Sequence, residues 1–286
     1  MDPVTARKTW RTLEPLHGLI YFAPEATEEY AAIGLVPEVG GYFASRAAPM
    51  GSVPAEVVIA TFFNFRPGVV YLEIPRAWSL AAPDTIVDAR FRAASRALRG
   101  ALGAAADGPD VSEAAALARA AALHATEHTA GRPLFAGHAS LEWPDDPLLV
   151  LWHAQSLLRE FRGDGHIAAM TTEGITGIEA LVIHGATGEV PRIALQATRG
   201  WTNDEWDAAA AGLQRRGWLT PDGSFTDAGR AHRQGVEDRT DALALPAYEA
   251  LGDDACARLR TLVRPLSKAV VESSAFTFTN RPAGSP

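Results

Sequence analysis

Leu213-Gln214-Arg215-Arg216-Gly217-Trp218-Leu219-Thr220-Pro221-Asp222-Gly223-Ser224-Phe225-Thr226-Asp227-Ala228-Gly229-Arg230 is the stretch that decides the fold. Its first residues close a helix, with Arg215 and Arg216 at the end where cations favour the helix dipole. Asp222-Gly223 is a tight-turn dipeptide between two short extended arms, the composition of a small β-hairpin. A long helix over Ala231 to Leu243 and a last one over Asp254 to Val271 follow. Working upstream, Thr202 is a good N-cap and Glu205 stands three residues on, the arrangement of a capping box. Trp206, Ala209, Ala210 and Leu213 line one face of the helix they start. Before it come two short helices, Gly177 to Ala186 and Pro191 to Thr198, the second opening on a proline that a first turn tolerates. A helix over Leu148 to Phe161 precedes these, and Gly163-Asp164-Gly165 reads as the turn that ends it.

From about Trp152 to the C-terminus this order resembles the MarR family of winged helix-turn-helix proteins. There a recognition helix closes on a leucine, charged residues and a glycine, a hairpin forms the wing, and Thr-x-x-Gly-Arg opens a long helix. Three further runs, Glu14-Pro15-Leu16-His17, Tyr42-Phe43-Ala44-Ser45-Arg46-Ala47-Ala48-Pro49 and Arg162-Gly163-Asp164-Gly165-His166, resemble a sparsely characterised actinobacterial helix-turn-helix family with two related halves. That second resemblance implies DNA binding by name and carries over no activity.

The chain also reads as a duplication. Residues 56–78 and 179–201 have equal length, and Glu56, Arg76 and Trp78 face Glu179, Arg199 and Trp201. Apolar positions correspond as well, Val58 to Leu181 and Leu72 to Leu195 among them, and Leu16-His17 matches Trp152-His153 if a loop differs in length. The expected fold is therefore mostly α, with two winged-helix-like halves forming a MarR-dimer-like helical body with a small β-hairpin wing. The N-terminal, degenerate half is placed at 1–105, an Ala-rich connecting segment at 106–147 and the C-terminal half at 148–286.

The 286 residues carry a formal net charge of −8 and one cysteine. One thiol, Cys256, supports neither an internal disulfide nor a Cys-rich zinc site and reads as a small apolar helix residue. The apolar runs Val57 to Phe63 and Leu148 to Trp152 are too short to cross a bilayer, and no secretory signal is present, which places the expected protein in the cytoplasm, away from membranes. Nucleotide-binding and common covalent-hydrolase motifs are missing. An acidic total argues against a surface that meets phosphate everywhere.

A recognition helix should offer polar or basic residues to DNA. Here Asn203, Asp204, Glu205 and Asp207 crowd its first turns, and the wing tip Pro221-Asp222-Gly223-Ser224 has no arginine. Each close carboxylate–phosphate pair costs on the order of 1 kcal/mol at a surface dielectric. The DNA alternative, a ligand-responsive MarR-type regulator, rests on Arg90, Arg92, Arg96 and Arg99 in the first half, which could also be a solvated basic face.

The leading expectation is binding of a small molecule, or catalysis on one, in bacterial specialised metabolism or self-protection. His153, Ser156, Arg159 and Arg162 share a helix face. The glycines flanking Asp164 would let it and His166 fold back, the carboxylate orienting an imidazole as a proton carrier. His17, one turn before Tyr21, joins them across a pseudo-two-fold cleft. His153, His166, Asp164 and His17 are the candidate catalytic groups. Arg162 would hold an anionic group, and Arg46, Tyr21, Tyr42, Phe43, Phe63 and Asn64 would be the other ligand-binding residues of the pocket. His17, His153 and His166 are enough imidazoles for a metal or haem but lack motif spacing, and His124 and His128, at i and i+4, have no third ligand in the text. The cofactor is left unknown, and both a monomer and a homodimer are compatible with the chain.

Overall fold

The computed structural model describes residues 1–35 and 41–273. Prolines at first-turn positions open many of its helices, where their missing N–H costs nothing. In chain order these are α1 (Pro3–Gly18), α2 (Pro24–Ala32), α3 (Gly41–Ala47), α4 (Ala55–Phe62), α5 (Pro67–Tyr71), α6 (Arg76–Leu80), α7 (Pro83–Leu102), α8 (Pro109–Ala125), α9 (Pro133–Ala139), α10 (Pro147–Thr172), α11 (Gly177–Gly185), α12 (Arg192–Arg199), α13 (Asn203–Arg215), α14 (Asp227–Ala244), α15 (Pro246–Glu249) and α16 (Gly252–Glu272). No helix among the described residues is long and apolar enough to cross a membrane.

One large core draws on helices from Ala6 to Val270, with α10 at its axis. The Ala-rich connecting stretch packs against α10 more extensively than any other element does. Ala114, Ala115, Ala118, Ala121, Ala122 and Ala125 of α8 are all buried, and a face of single methyl groups lets the two backbones approach closely.

Gly163-Asp164-Gly165 does not end the helix, as the sequence reading expected: α10 runs through it for another two turns, 26 residues in all. The glycines serve packing rather than turning. A Cβ on Gly165 would stand 2.9 Å from an Arg132 guanidinium nitrogen and 3.2 Å from Leu243 Cβ, so its bare backbone is what admits α14 and Arg132. Arg132 lies over the Phe161 ring, 3.8 Å from its centroid, and donates to the carbonyls of Phe161 and Leu243.

Helices α11 to α13 enclose a smaller core of Leu181, Val182, Leu195, Trp206, Leu213 and Leu219. Two capping boxes fix its helix starts, Thr176 with Glu179 and Thr202 with Glu205. The β-hairpin wing expected after α13 does not form: no strand occurs among the described residues, only a single bridge between Leu219 and Phe225. Thr220 N–H donates to the Ser224 carbonyl at 2.9 Å and Thr226 N–H to Trp218 at 3.1 Å. Between them Asp222 takes the Thr220 hydroxyl and the Ser224 N–H, so side-chain bonds occupy the turn where a ladder would extend. A third cluster, Ala169, Met170, Ile175 and Val236, joins this unit to the body.

Candidate ligand site

Where the α11–α13 unit meets the body, α1, α3, α4, α10 and α14 and the ends of α11 and α12 surround a cavity of about 530 Å³. Tyr42, Phe62 and Phe65 pack together on one side, Tyr42 and Phe65 with ring centroids 5.4 Å apart. Arg46 lies over Phe62 and Arg199 over Phe65, 4.7 and 4.5 Å from the ring centroids.

Charge is unevenly matched here. Arg46 grips the buried Glu160 with two nitrogens, at 2.8 and 2.6 Å, and Arg159 reaches both Glu160 and Glu14. Burial alone would raise the Glu160 pKa, but Arg46 and Arg159 hold it well below the usual carboxylate range. Arg199, half-buried at the end of α12, has no carboxylate within ion-pairing distance among the described residues, and its buried Nε makes no hydrogen bond. Burial first, then Arg46 and Arg159, push its pKa down. Tyr42 reports the same field. Its burial opposes ionisation, yet Arg46, Arg159 and Arg199 together bring the phenol below its ordinary value.

The cavity wall after α4 is strained. Phe63 adopts φ 57°, ψ −56°, which a residue with a side chain rarely does and which costs about 1–3 kcal/mol. The α11–α13 unit sits on this loop. Trp201 Nε1 donates to the Asn64 carbonyl at 2.8 Å, Arg66 N–H donates to the Arg199 carbonyl at 3.0 Å, and Arg66 pairs with Glu205. Gly177 is required at the contact, since a Cβ there would lie 2.0 Å from the Phe63 carbonyl oxygen.

Of the residues singled out from sequence, Arg46, Tyr42, Phe63, Asn64, Arg162, Asp164 and His166 line this cavity. Their roles differ from those expected. Asp164 accepts from Phe135 N–H at 2.9 Å, satisfying the first turn of α9, and burial raises its pKa to about 6. It orients no imidazole: His166 Nδ1 instead pairs with the Thr240 hydroxyl at 2.8 Å. Arg162 is committed to Asp241 and Glu237 and lies over Trp10.

His17, His153, Tyr21 and Phe43 do not line the cavity. His17 is fully buried, with Nδ1 2.9 Å from Ser156 Oγ and Nε2 2.8 Å from the Tyr21 hydroxyl. Ser156 itself donates to the Trp152 carbonyl, so His17 carries its proton on Nδ1 and accepts from Tyr21 at Nε2. His153 sits between Trp143 and Phe91. Burial lowers the pKa of both, His153 to about 4. With His17 and His153 in the core and His166 in the cavity wall, the three do not form the metal site considered from sequence. His124, His128 and Glu127 do bring ligand atoms within 4.8 Å of one another, at the surface end of α8, Glu127 being the third ligand the text did not reveal.

The arginines of α7 are occupied. Arg90 is buried, lies over Trp152 and Tyr21, and donates to the Tyr21 and Ser45 hydroxyls. Arg92 and Arg96 pair with Glu28 and Glu29, and Arg99 with Asp107 and Asp146. On α13, Glu205 and Asp207 are answered by Arg66 and Arg192, while Asp204 stands exposed.

Arg159, Glu160, Arg199, Phe65 and Trp10 also line the cavity and were not assigned to a pocket from sequence. The matched Arg-x-Trp pairs at 76–78 and 199–201 were the one textual signal that Arg199 mattered.

Helix α12, the left-handed turn at Gly200 and the capped helix α13 follow one another in the order of a helix-turn-helix. A family model described as a helix-turn-helix family matches residues 6–277, and the chain belongs to that family. Comparison with curated proteins and with solved structures gives no match.

Proposed function

We propose that this protein binds a small molecule in the cavity between its helical body and its helix-turn-helix unit. The observation that carries the reading is Arg199, a half-buried guanidinium with no carboxylate partner, facing a cavity large enough for a ligand of some twenty non-hydrogen atoms or fewer. Folding leaves a buried cation unpaired only at a cost, and Arg199, unlike the equally unpaired Arg90 enclosed in the core, faces a cavity that a partner could enter from outside. Binding, rather than a named reaction, is as far as the side chains carry the proposal; the histidines offered for proton transfer are held in the core or by Thr240.

The MarR-like reading and the duplication belong to the same proposal. In their support α11, α12, α13, the bridged turn and α14 follow one another as in a winged helix, and α4 and α11 begin at corresponding places in the two halves. A role in bacterial specialised metabolism or self-protection is consistent with a ligand-holding member of such a family.

A direct test is native mass spectrometry, with an absorbance spectrum, of protein drawn from its own cells. The expected result is a mass excess released on denaturation and absent from Ile167→Trp, which fills the cavity from α10. Identical bare masses for both, after exposure to cell extract, would remove the proposal.

Membership in a helix-turn-helix family favours a second reading, a ligand-responsive DNA-binding regulator. The pairing of Arg92, Arg96 and Arg99 and the burial of Arg90 leave α7 little to offer phosphate. A gel shift against the DNA upstream of its own gene, over a salt series, decides this: phosphate contacts require affinity to fall steeply with salt.

A further inference from the structure

We propose that the molecule held in the cavity carries a negatively charged group on an apolar, ring-sized body, and that its charged end seats at Arg199 beside the Tyr42 hydroxyl. This rests on the reading of the cavity as a small-molecule site and adds the ligand's chemistry.

Three observations converge. Around Tyr42 three guanidiniums of the cavity wall, Arg46, Arg159 and Arg199, are met by two carboxylates, Glu160 and Glu14, and the ion pairs assign both carboxylates to Arg46 and Arg159. That leaves Arg199, which lies against the aromatic rings, without a carboxylate, as Arg11 and Arg233 elsewhere in the wall also are among the described residues. Donors also outnumber acceptors. The Tyr42 hydroxyl accepts from Arg46 at 2.9 Å and has no acceptor for its own proton among the described residues. The buried Trp10 Nε1 and Arg199 Nε, which belong to cavity-lining residues, likewise have none. Donors without acceptors and a cation without a counter-ion call for an anionic acceptor, and a carboxylate or sulfonate offers the lone pairs to meet them. Finally, Phe62, Phe65 and the Tyr42 ring give that region an aromatic wall, and Phe63 and Ile167 add apolar surface, suited to a ring rather than to a bare inorganic ion.

The positive field at Tyr42 agrees with this placement: the phenol is brought below its ordinary pKa despite its burial. An arriving anion would reverse that effect and raise it again.

Two fluorescent dyes test the charge separately from the cavity. Anilinonaphthalene sulfonate carries one negative charge, and phenylnaphthylamine is the same ring system without it. Wild-type protein is expected to bind the sulfonate about tenfold or more tightly than the neutral dye, as one charge-assisted hydrogen bond permits. Arg199→Met should weaken the sulfonate by a similar factor and leave the neutral dye within about twofold, and Arg199→Lys should recover part of the loss. Ile167→Trp should weaken both dyes, locating them in the cavity rather than on the surface. Circular dichroism melts of each variant establish that it is folded. If both dyes bind alike, both are lost in Ile167→Trp and neither responds to Arg199→Met, the charge assignment fails while the cavity reading survives. If neither dye responds to Ile167→Trp, both proposals fall.

Discussion

Two polar clusters lie side by side in this molecule, and they were built to different rules. Around His17 a relay of hydrogen bonds runs from Tyr21 through His17 and Ser156 to the Trp152 carbonyl, each group using its donor or acceptor on the next, while Arg90, which donates to Tyr21, keeps a buried Nε without a partner in the closed core. Around Arg199 the donors outnumber their partners, and its guanidinium, facing the cavity, has no carboxylate among the described residues. Burying polar groups is tolerable when they are satisfied and costly when they are not. The His17 relay therefore specifies the core, and unpartnered groups mark a place for a partner where, as at Arg199 and not at Arg90, they face a cavity. His17, which looked like chemistry in the sequence, belongs to the core.

The contrast can be broken at its strongest point first. Glu160→Gln leaves Arg46 and Arg159 buried without their shared carboxylate and should cost about 3–5 kcal/mol in urea unfolding, the usual effect of removing one partner of a buried pair. Next comes acid sensitivity. His153 titrates at about 4 in the folded chain against 6.5 in the unfolded one, so both states are neutral above pH 6.5. As pH falls from 6.5 towards 4 only the unfolded state gains the proton, and stability is lost at up to about 1.4 kcal/mol per pH unit. Unfolding midpoints across this window should fall less steeply in His153→Phe than in the wild type.

Ser156→Ala, within the His17 relay, takes the acceptor from His17 Nδ1 and should cost about 1–3 kcal/mol. In α10 the two glycines should separate. Gly165→Ala meets Arg132 and Leu243 and should destabilise by about 1–3 kcal/mol, whereas Gly163→Ala, whose nearest neighbour would be Glu160 at 3.6 Å, should stabilise by about 0.5–1 kcal/mol through helix propensity. Smallest of all, Arg199→Met should change the unfolding free energy by no more than about 1 kcal/mol, because the charge it removes meets no carboxylate and only the face of Phe65. A loss of several kcal/mol there would mean that Arg199 holds the structure together.

Much of the fold was legible. Thr202 with Glu205, Pro191, and the Ala and Leu spacing of α13 are local signals, and local signals place helices well. The errors came where tertiary contacts overrule local ones. Gly163 and Gly165 read as a turn because glycine usually interrupts helices, but α14 and Arg132 needed the space their missing side chains leave. The alanines of α8 read as a linker because each is small, yet together they face α10. For the site, sequence named the aromatic and arginine members on α3 and after α4, whose types suit a pocket. It could not separate His17 and His153 from them, since a polar residue on an apolar helix looks the same whether its partner is a ligand or Ser156. Nor could it show which arginine lacked an acid, because Arg46 and Glu160 are 114 residues apart in the chain.

The side-chain Nε–H signals of the arginines, observed by proton–nitrogen NMR on the whole protein, test the contrast most directly. Arg199 is assigned by the signal missing from Arg199→Met. On titration with anilinonaphthalene sulfonate the Arg199 signal should shift while that of Arg90, buried outside the cavity, stays in place. A stationary Arg199 with dye bound, or a shift at Arg90 in its stead, would contradict the account.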